Sequence, residues 1–217
     1  MSKSNAWKTY LAYYDVTKNT YVNDRAYALA SGDLFYYDSE GVHCLSRVNG
    51  LSDVQISYFV YNRELTKFIV VYSNCNIDIL DLENNVVNVP QYKNSFIQDK
   101  TINDVSVADK YAYLSTNFGV VVINMERCEI TNTYDIGKKV TSTTSAEDDI
   151  FTVTENGVYH GDRRQNLLDK SNWHLLTNQN DFILLNYDED IFAFRPNGLY
   201  SFDEADGSLS ILKSGSY

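Results

Sequence analysis

The sequence predicts an all-β protein: a β-propeller with about five four-stranded blades in a chain of 217 residues. Three observations carry this reading. A hairpin signal recurs five times at nearly constant spacing. Asp-rich turns recur within each interval. No segment sustains a 3.6-residue apolar period over three helical turns.

The hairpin signal is two apolar stretches joined by a short Gly- or Asn-bearing turn. Its copies are AYALASGDLFYYD, FIVVYSNCNIDILD, AYLSTNFGVVVIN, IFTVTENGVYHGD and IFAFRPNGLYSFD. The turn position falls at Gly32, Cys75, Gly119, Gly157 and Gly198, at intervals of 43, 44, 38 and 41 residues. Cys75 takes the glycine's place, with Asn74 and Asn76 beside it to make the turn. A period near 40 residues is that of a propeller blade of four strands. The third copy shows the whole unit: DVSVAD is strand a, YAYLST b, GVVVIN c and CEITNTYDI d. Asp-bearing turns separate a from b (NDR, ADK, EDD, DED), because Asp and Asn side chains bond to their own backbone nearby. Strands b and c are apolar almost throughout, as expected where both sheet faces meet neighbouring blades.

The repeats run at about 15–52, 53–101, 102–138, 139–177 and 178–217, within one domain over 1–217 or the N-terminal part of one. Trp7 precedes Gly32 by 25 residues, as Trp173 precedes Gly198, so both are expected on outer d strands. The fifth repeat has its own d strand, SLSILKS. The chain is then either a five-blade ring with a surplus strand or part of a larger ring of six to eight blades, and the second is the expectation.

Composition narrows the function. Hydrophobic residues make up 44%, there are 18 Tyr and only 2 Pro, and no low-complexity run interrupts the chain. A net charge of −11 disfavours nucleic acid and docking to an anionic membrane by charge. No stretch is long and apolar enough to span a bilayer, and the first residues lack the apolar core of a signal peptide. Cys44, Cys75 and Cys128 are widely spaced, which suits small core residues better than a disulfide framework. The scattered His43, His160 and His174 do not make a zinc set. The acidic stretches NYDEDIF and DEADGS read as turns, since Ala205 interrupts a calcium-type ligand pattern. No cofactor or metal is expected.

Several stretches carry a family resemblance. The opening WKTYLAY, YALASGDLFYYD, the linker NGLSD with its following VQIS, KTINDVSV and AYLSTNFGVVVIN resemble the N-terminal propeller of PorZ-like proteins of the Bacteroidetes type IX secretion machinery. More broadly the beat is similar to two-component-regulator propeller repeats. The match is dense from Trp7 to Gly137 and thins beyond. The resemblance implies an exported, non-catalytic recognition scaffold at the cell surface or in the periplasm, with a protein or a glycan such as lipopolysaccharide as partner. The runner-up is the ligand-sensing propeller of a periplasmic hybrid sensor, and a polysaccharide-cleaving five-blade enzyme comes third. The Asp boxes of sialidase propellers, a G-x-S-x-G elbow and a phosphate loop are all missing.

No catalytic residue is assigned. The binding candidates are Arg163 and Arg164, an adjacent basic pair in the insertion GDRRQNLLDKS, which should project from the face opposite the Asn-Gly turns. Guanidinium groups suit carboxylates and polar glycans. The competing reading is a solvated loop whose Leu167 and Leu168 fold back on the blade. Tyr10, Tyr13, Tyr14, Tyr36 and Tyr37 are candidate sugar-stacking rings or inter-blade packing.

Overall fold

The structure, a computed structural model, describes residues 15–215, so Trp7, Tyr10, Tyr13 and Tyr14 lie outside the described residues. Within them the chain is a propeller of five blades, each a four-stranded antiparallel meander. The first blade comprises β1 (Val16–Val22), β2 (Arg25–Ala30), β3 (Asp33–Asp38) and β4 (Gly41–Leu45). The second comprises β5 (Ile56–Asn62), β6 (Lys67–Tyr72), β7 (Ile77–Asp81) and β8 (Val86–Asn88). The third comprises β9 (Ile102–Ala108), β10 (Tyr111–Thr116), β11 (Gly119–Asn124) and β12 (Glu129–Asp135). The fourth comprises β13 (Val140–Ala146), β14 (Asp149–Thr154), β15 (Gly157–Asp162) and β16 (Trp173–Thr177). The fifth comprises β17 (Leu184–Asp188), β18 (Asp190–Arg195), β19 (Gly198–Phe202) and β20 (Leu209–Ser214).

All five marker positions sit at the turn between the second and third strands of a blade. These turns meet the connections between blades: Ser73 N donates to Gln55 O at 2.8 Å, Asn117 Nδ2 to Asp99 Oδ2 at 2.7 Å, and Asn180 Nδ2 to Glu155 O at 2.7 Å. They therefore share one face, the back face. The other two turns of each blade form the front face.

Two glycines of this beat are required by close approach. A Cβ on Gly119 would lie 1.9 Å from Tyr134 O, and one on Gly157 would lie 2.0 Å from Thr177 O. The outer strand can close on its neighbour only because neither residue has a side chain. A threonine three residues earlier clasps each turn: Thr116 Oγ1 donates to Gly119 O at 2.8 Å, and Thr154 Oγ1 to Gly157 O at 2.9 Å. Cys75 adopts a left-handed φ of 64° to serve in the second blade.

Four apolar clusters each join consecutive blades, and among the described residues none of them joins the fifth blade to the first. Phe59 stacks on Phe68 at 4.5 Å between ring centres, and Tyr27 tilts onto Phe68 at 4.7 Å, welding blades one and two. Each such buried side chain contributes about 1.5–3 kcal/mol. Strands β10 and β11 are buried on both faces.

Strand β13 is buried yet reads VTSTTSA. It lies innermost, packed against both β9 and β17, and small hydroxyl residues allow that approach. Ser115 and Thr143 share a 2.8 Å hydroxyl bond, and Ser142 Oγ accepts from Leu185 N at 3.1 Å, so blade four is stitched to both neighbours.

The three cysteines are free and half-buried, and only Cys44 lies in a strand. Cys75 and Cys128 occupy turns with left-handed φ values, where their thiols reach carbonyls of Lys100 and Met125. Cys75 and Cys128 also pack against the apolar cluster between blades two and three.

Candidate functional site

The insertion after β15 does not stand off the front face. It turns back into the groove between blades three and four. Leu167 is 3% exposed and Trp173 is 6% exposed, and the indole Nε1 donates to Leu167 O at 3.1 Å. Tyr134 of the third blade meets the indole edge-on at 5.7 Å. Leu168 remains 64% exposed, so only one of the two leucines folds back.

This path separates the two arginines. The Arg163 backbone N donates to Asp148 O at 2.8 Å, which aims its side chain inward over blade three. Its NH1 donates to the Tyr113 hydroxyl at 3.1 Å, its NH2 lies 3.7 Å from Asp109 Oδ2, and its guanidinium carbon sits 5.5 Å from the Tyr111 ring centre. Its Nε is buried without a hydrogen-bond partner. Burial pushes the Tyr113 phenol up, and the Arg163 charge partly offsets this. Arg164 points into solvent, where it grips Asp162 with two bonds of 2.9 and 3.0 Å. That pairing lowers the Asp162 pKa. The expected exposed basic pair is thus one half-buried arginine and one surface arginine already neutralised.

Arg163 stands where two concavities meet. One, of about 290 Å³, is lined by Tyr111, Asn132, Tyr134, Gln165 and Asn166 among others. The other, of about 520 Å³, lies among the front-face turns with Glu64, Asp109, Lys110 and Asp148. Asp109 and Glu64 also line the axial channel, a cavity of about 550 Å³ between the inner strands. On its wall, burial raises the Asp104 pKa, against the pull of the Val105 amide, the Ser142 hydroxyl and Lys18. The Oδ2 of Asp104 has no partner.

Every front-face turn carries a carboxylate: Asp24, Glu64, Asp109, Glu147 and Glu189 in one set, Glu40, Glu83, Glu126, Asp169 and Glu204 in the other. Burial and the carboxylates of Asp149, Glu147, Asp190 and Asp203 raise the Glu204 pKa. Among the described residues no group of three His, Cys, Asp or Glu side chains could hold a metal ion. No helix of the described residues is long and apolar enough to cross a membrane.

Tyr36 is packing rather than platform: it is 7% exposed and stacked on His43 at 4.7 Å. Tyr37 is 58% exposed. Tyr111 and the amides of Asn132, Gln165 and Asn166 escaped the sequence reading. The only signal for them was Tyr111 directly after the third blade's Asp turn.

Blades, turns and cleft together define a repeat-built β-propeller with polar concavities around Arg163 on its front side. Residues 26–174 match the PorZ N-terminal β-propeller domain of the type IX secretion system. The chain belongs to that family. PorZ of Porphyromonas gingivalis, described as an essential bacterial surface component of that system, aligns at a TM-score of 0.84 and 30% identity over 97% of this chain and 29% of its own. The extracellular domain of a putative hybrid two-component system from B. thetaiotaomicron aligns at 0.68 and 12% identity over 95% of this chain and 31% of its own. The Neurospora crassa Pan2 WD40 domain aligns at 0.61 and 12% identity over 91% of this chain and 65% of its own. The last two likenesses show the fold alone. The chain spans less than a third of the length of either bacterial protein. No curated protein matches the chain.

Proposed function

We propose that this chain is a non-catalytic recognition domain of an exported protein, at the cell surface or in the periplasm, that serves a type IX secretion assembly by binding a glycan such as lipopolysaccharide at the cleft between blades three and four. Family membership supports the setting. The observation that carries the site is Arg163, which lines the cleft together with the Tyr111 and Tyr134 rings and the side chains of Asn132, Gln165 and Asn166. Amide and guanidinium donors around an aromatic ring are the furniture of a saccharide site. The cleft is small enough for one or two sugar rings.

The test is calorimetric titration of the chain with purified lipopolysaccharide and with its released polysaccharide. Arg163→Gln should weaken binding at least tenfold, while Arg164→Gln should leave it within twofold. Equal binding by all three proteins would remove the cleft from the reading. Appearance of reducing sugar during incubation would overturn the non-catalytic assignment.

A further inference from the structure

Asparagine precedes glycine three times in the chain, at Asn49-Gly50, Asn156-Gly157 and Asn197-Gly198. Each pair sets a labile side-chain amide beside a backbone nitrogen that no neighbouring side chain screens. All three side-chain carbonyls accept a hydrogen bond: Asn49 Oδ1 from Ser46 Oγ at 2.5 Å, Asn156 Oδ1 from Lys138 Nζ at 3.2 Å, and Asn197 Oδ1 from the Tyr200 hydroxyl at 3.0 Å. Such a donor stabilises the negative oxygen that forms when a nucleophile adds to the carbon. Activation of the amide is therefore common to the three. The freedom of the nucleophile is not.

Two of the pairs are clamped in back-face hairpins. Gly157 and Gly198 are buried first residues of β15 and β19, paired with Thr154 and Arg195. A Cβ on Gly157 would lie 2.0 Å from Thr177 O, and one on Gly198 would lie 2.6 Å from Lys213 O. Backbone this tightly enclosed has no room to swing a nitrogen onto the preceding side chain.

Asn49 and Gly50 lie in the open. They end the short 3₁₀ turn Arg47–Asn49 between blades one and two, and both are exposed. Gly50 has a φ of 114°, and a Cβ there would find only Val86 Cγ2, at 4.0 Å. The comparable turn Lys170–Asn172 ends on Trp173, whose N–H donates to Lys170 O. Among the described residues the Gly50 N–H caps no carbonyl. The Ser46 hydroxyl that holds Asn49 is itself fixed by accepting from Val48 N at 3.3 Å.

We infer that Asn49 is a covalent modification site, at which the folded chain deamidates selectively. The Gly50 nitrogen gives its proton to solvent and bonds to Asn49 Cγ. The bond from Cγ to the side-chain nitrogen breaks, and ammonia leaves. Water then opens the cyclic imide at either carbonyl, giving aspartate or isoaspartate. Either product adds a negative charge, and isoaspartate also adds a carbon to the main chain. Leu51, the next residue but one, is 5% exposed in the apolar cluster of blades one and two, so the change falls at their joint. This site is independent of the cleft and stands or falls separately.

The experiment incubates the full chain at mildly alkaline pH, folded and in urea. Tandem mass spectrometry of tryptic peptides follows the amide-to-acid mass gain at each pair. In the folded chain the gain should arise at Asn49 at least tenfold faster than at Asn156 or Asn197. In urea the three rates should converge to within threefold, because only the fold sets them apart. Asn49→Gln should abolish the gain at that position, since glutamine must close a larger ring. Equal rates in the folded chain, a faster gain at Asn156 or Asn197, or none at Asn49 overturns the proposal. So does a preference for Asn49 that persists undiminished in urea.

Discussion

At the scale of single residues, this fold turns on where a side chain cannot be. Gly119 and Gly157 are fixed by the carbonyls of Tyr134 and Thr177, which occupy the space of a Cβ. Gly119→Ala should therefore force the outer strand of blade three away from β11. The cost should reach or exceed the about 1–3 kcal/mol usual for overpacking. Urea denaturation would read it, with a lower midpoint and an unchanged slope. An alanine variant as stable as the parent would show that the strand can yield. Thr116→Val tests the clasp beside it. Removing a buried hydroxyl that serves both the amide and the carbonyl of Gly119 should cost about 1–3 kcal/mol.

At the scale of elements, the insertion of blade four is held in its groove by Leu167 and Trp173. Trp173→Ala should cost about 3–5 kcal/mol and Leu167→Ala about 2–5 kcal/mol. The two should be non-additive, since they touch and share a hydrogen bond. Leu168→Ala should change stability by less than about 0.5 kcal/mol. Additive losses would mean that the leucine and the indole hold the insertion separately. This element also marks the limit of what the sequence discloses. The beat of Gly32, Cys75, Gly119, Gly157 and Gly198 was legible because a backbone clash or a left-handed turn admits few residue types, so the constraint prints itself at each repeat. The third blade could be read strand by strand for the same reason. The direction of Arg163 was not legible. It depends on one backbone bond to Asp148 and on a groove made by another blade. Nor could adjacent leucines reveal that one is buried and the other is not.

At the scale of the molecule, carboxylates recur in the hairpin turns of one face. The front-face turns all carry carboxylates, while four of the five back-face hairpin turns carry none. The stability profile should follow from that division. Glu204 has a raised pKa through burial and its acidic neighbours. Its contribution is therefore full below the ordinary glutamate value of about 4.3 and is lost as pH rises through the higher folded value. Asp53 and Asp99 run the other way, held ionised by side-chain hydrogen bonds. Their folded values of about 2 make a contribution that is full above the ordinary aspartate value of about 3.9 and is lost as pH falls toward 2. Where the two windows meet, Asp53 and Asp99 are still ionised and bonded while Glu204 still holds its proton. The thermal midpoint should accordingly peak at acidic pH, near the ordinary carboxylate values of about 4, in low salt. Added sodium chloride should raise the midpoint at pH 7 by screening the exposed front-face charges, and should flatten the alkaline side of the peak. Glu204→Gln should raise the midpoint at pH 7 and leave it unchanged at pH 4, where the native side chain is already protonated. Calorimetric scans across pH 3–8 at two salt concentrations would measure all three effects. A midpoint that climbs steadily to pH 8 in low salt would show that the front-face carboxylates do not oppose the fold.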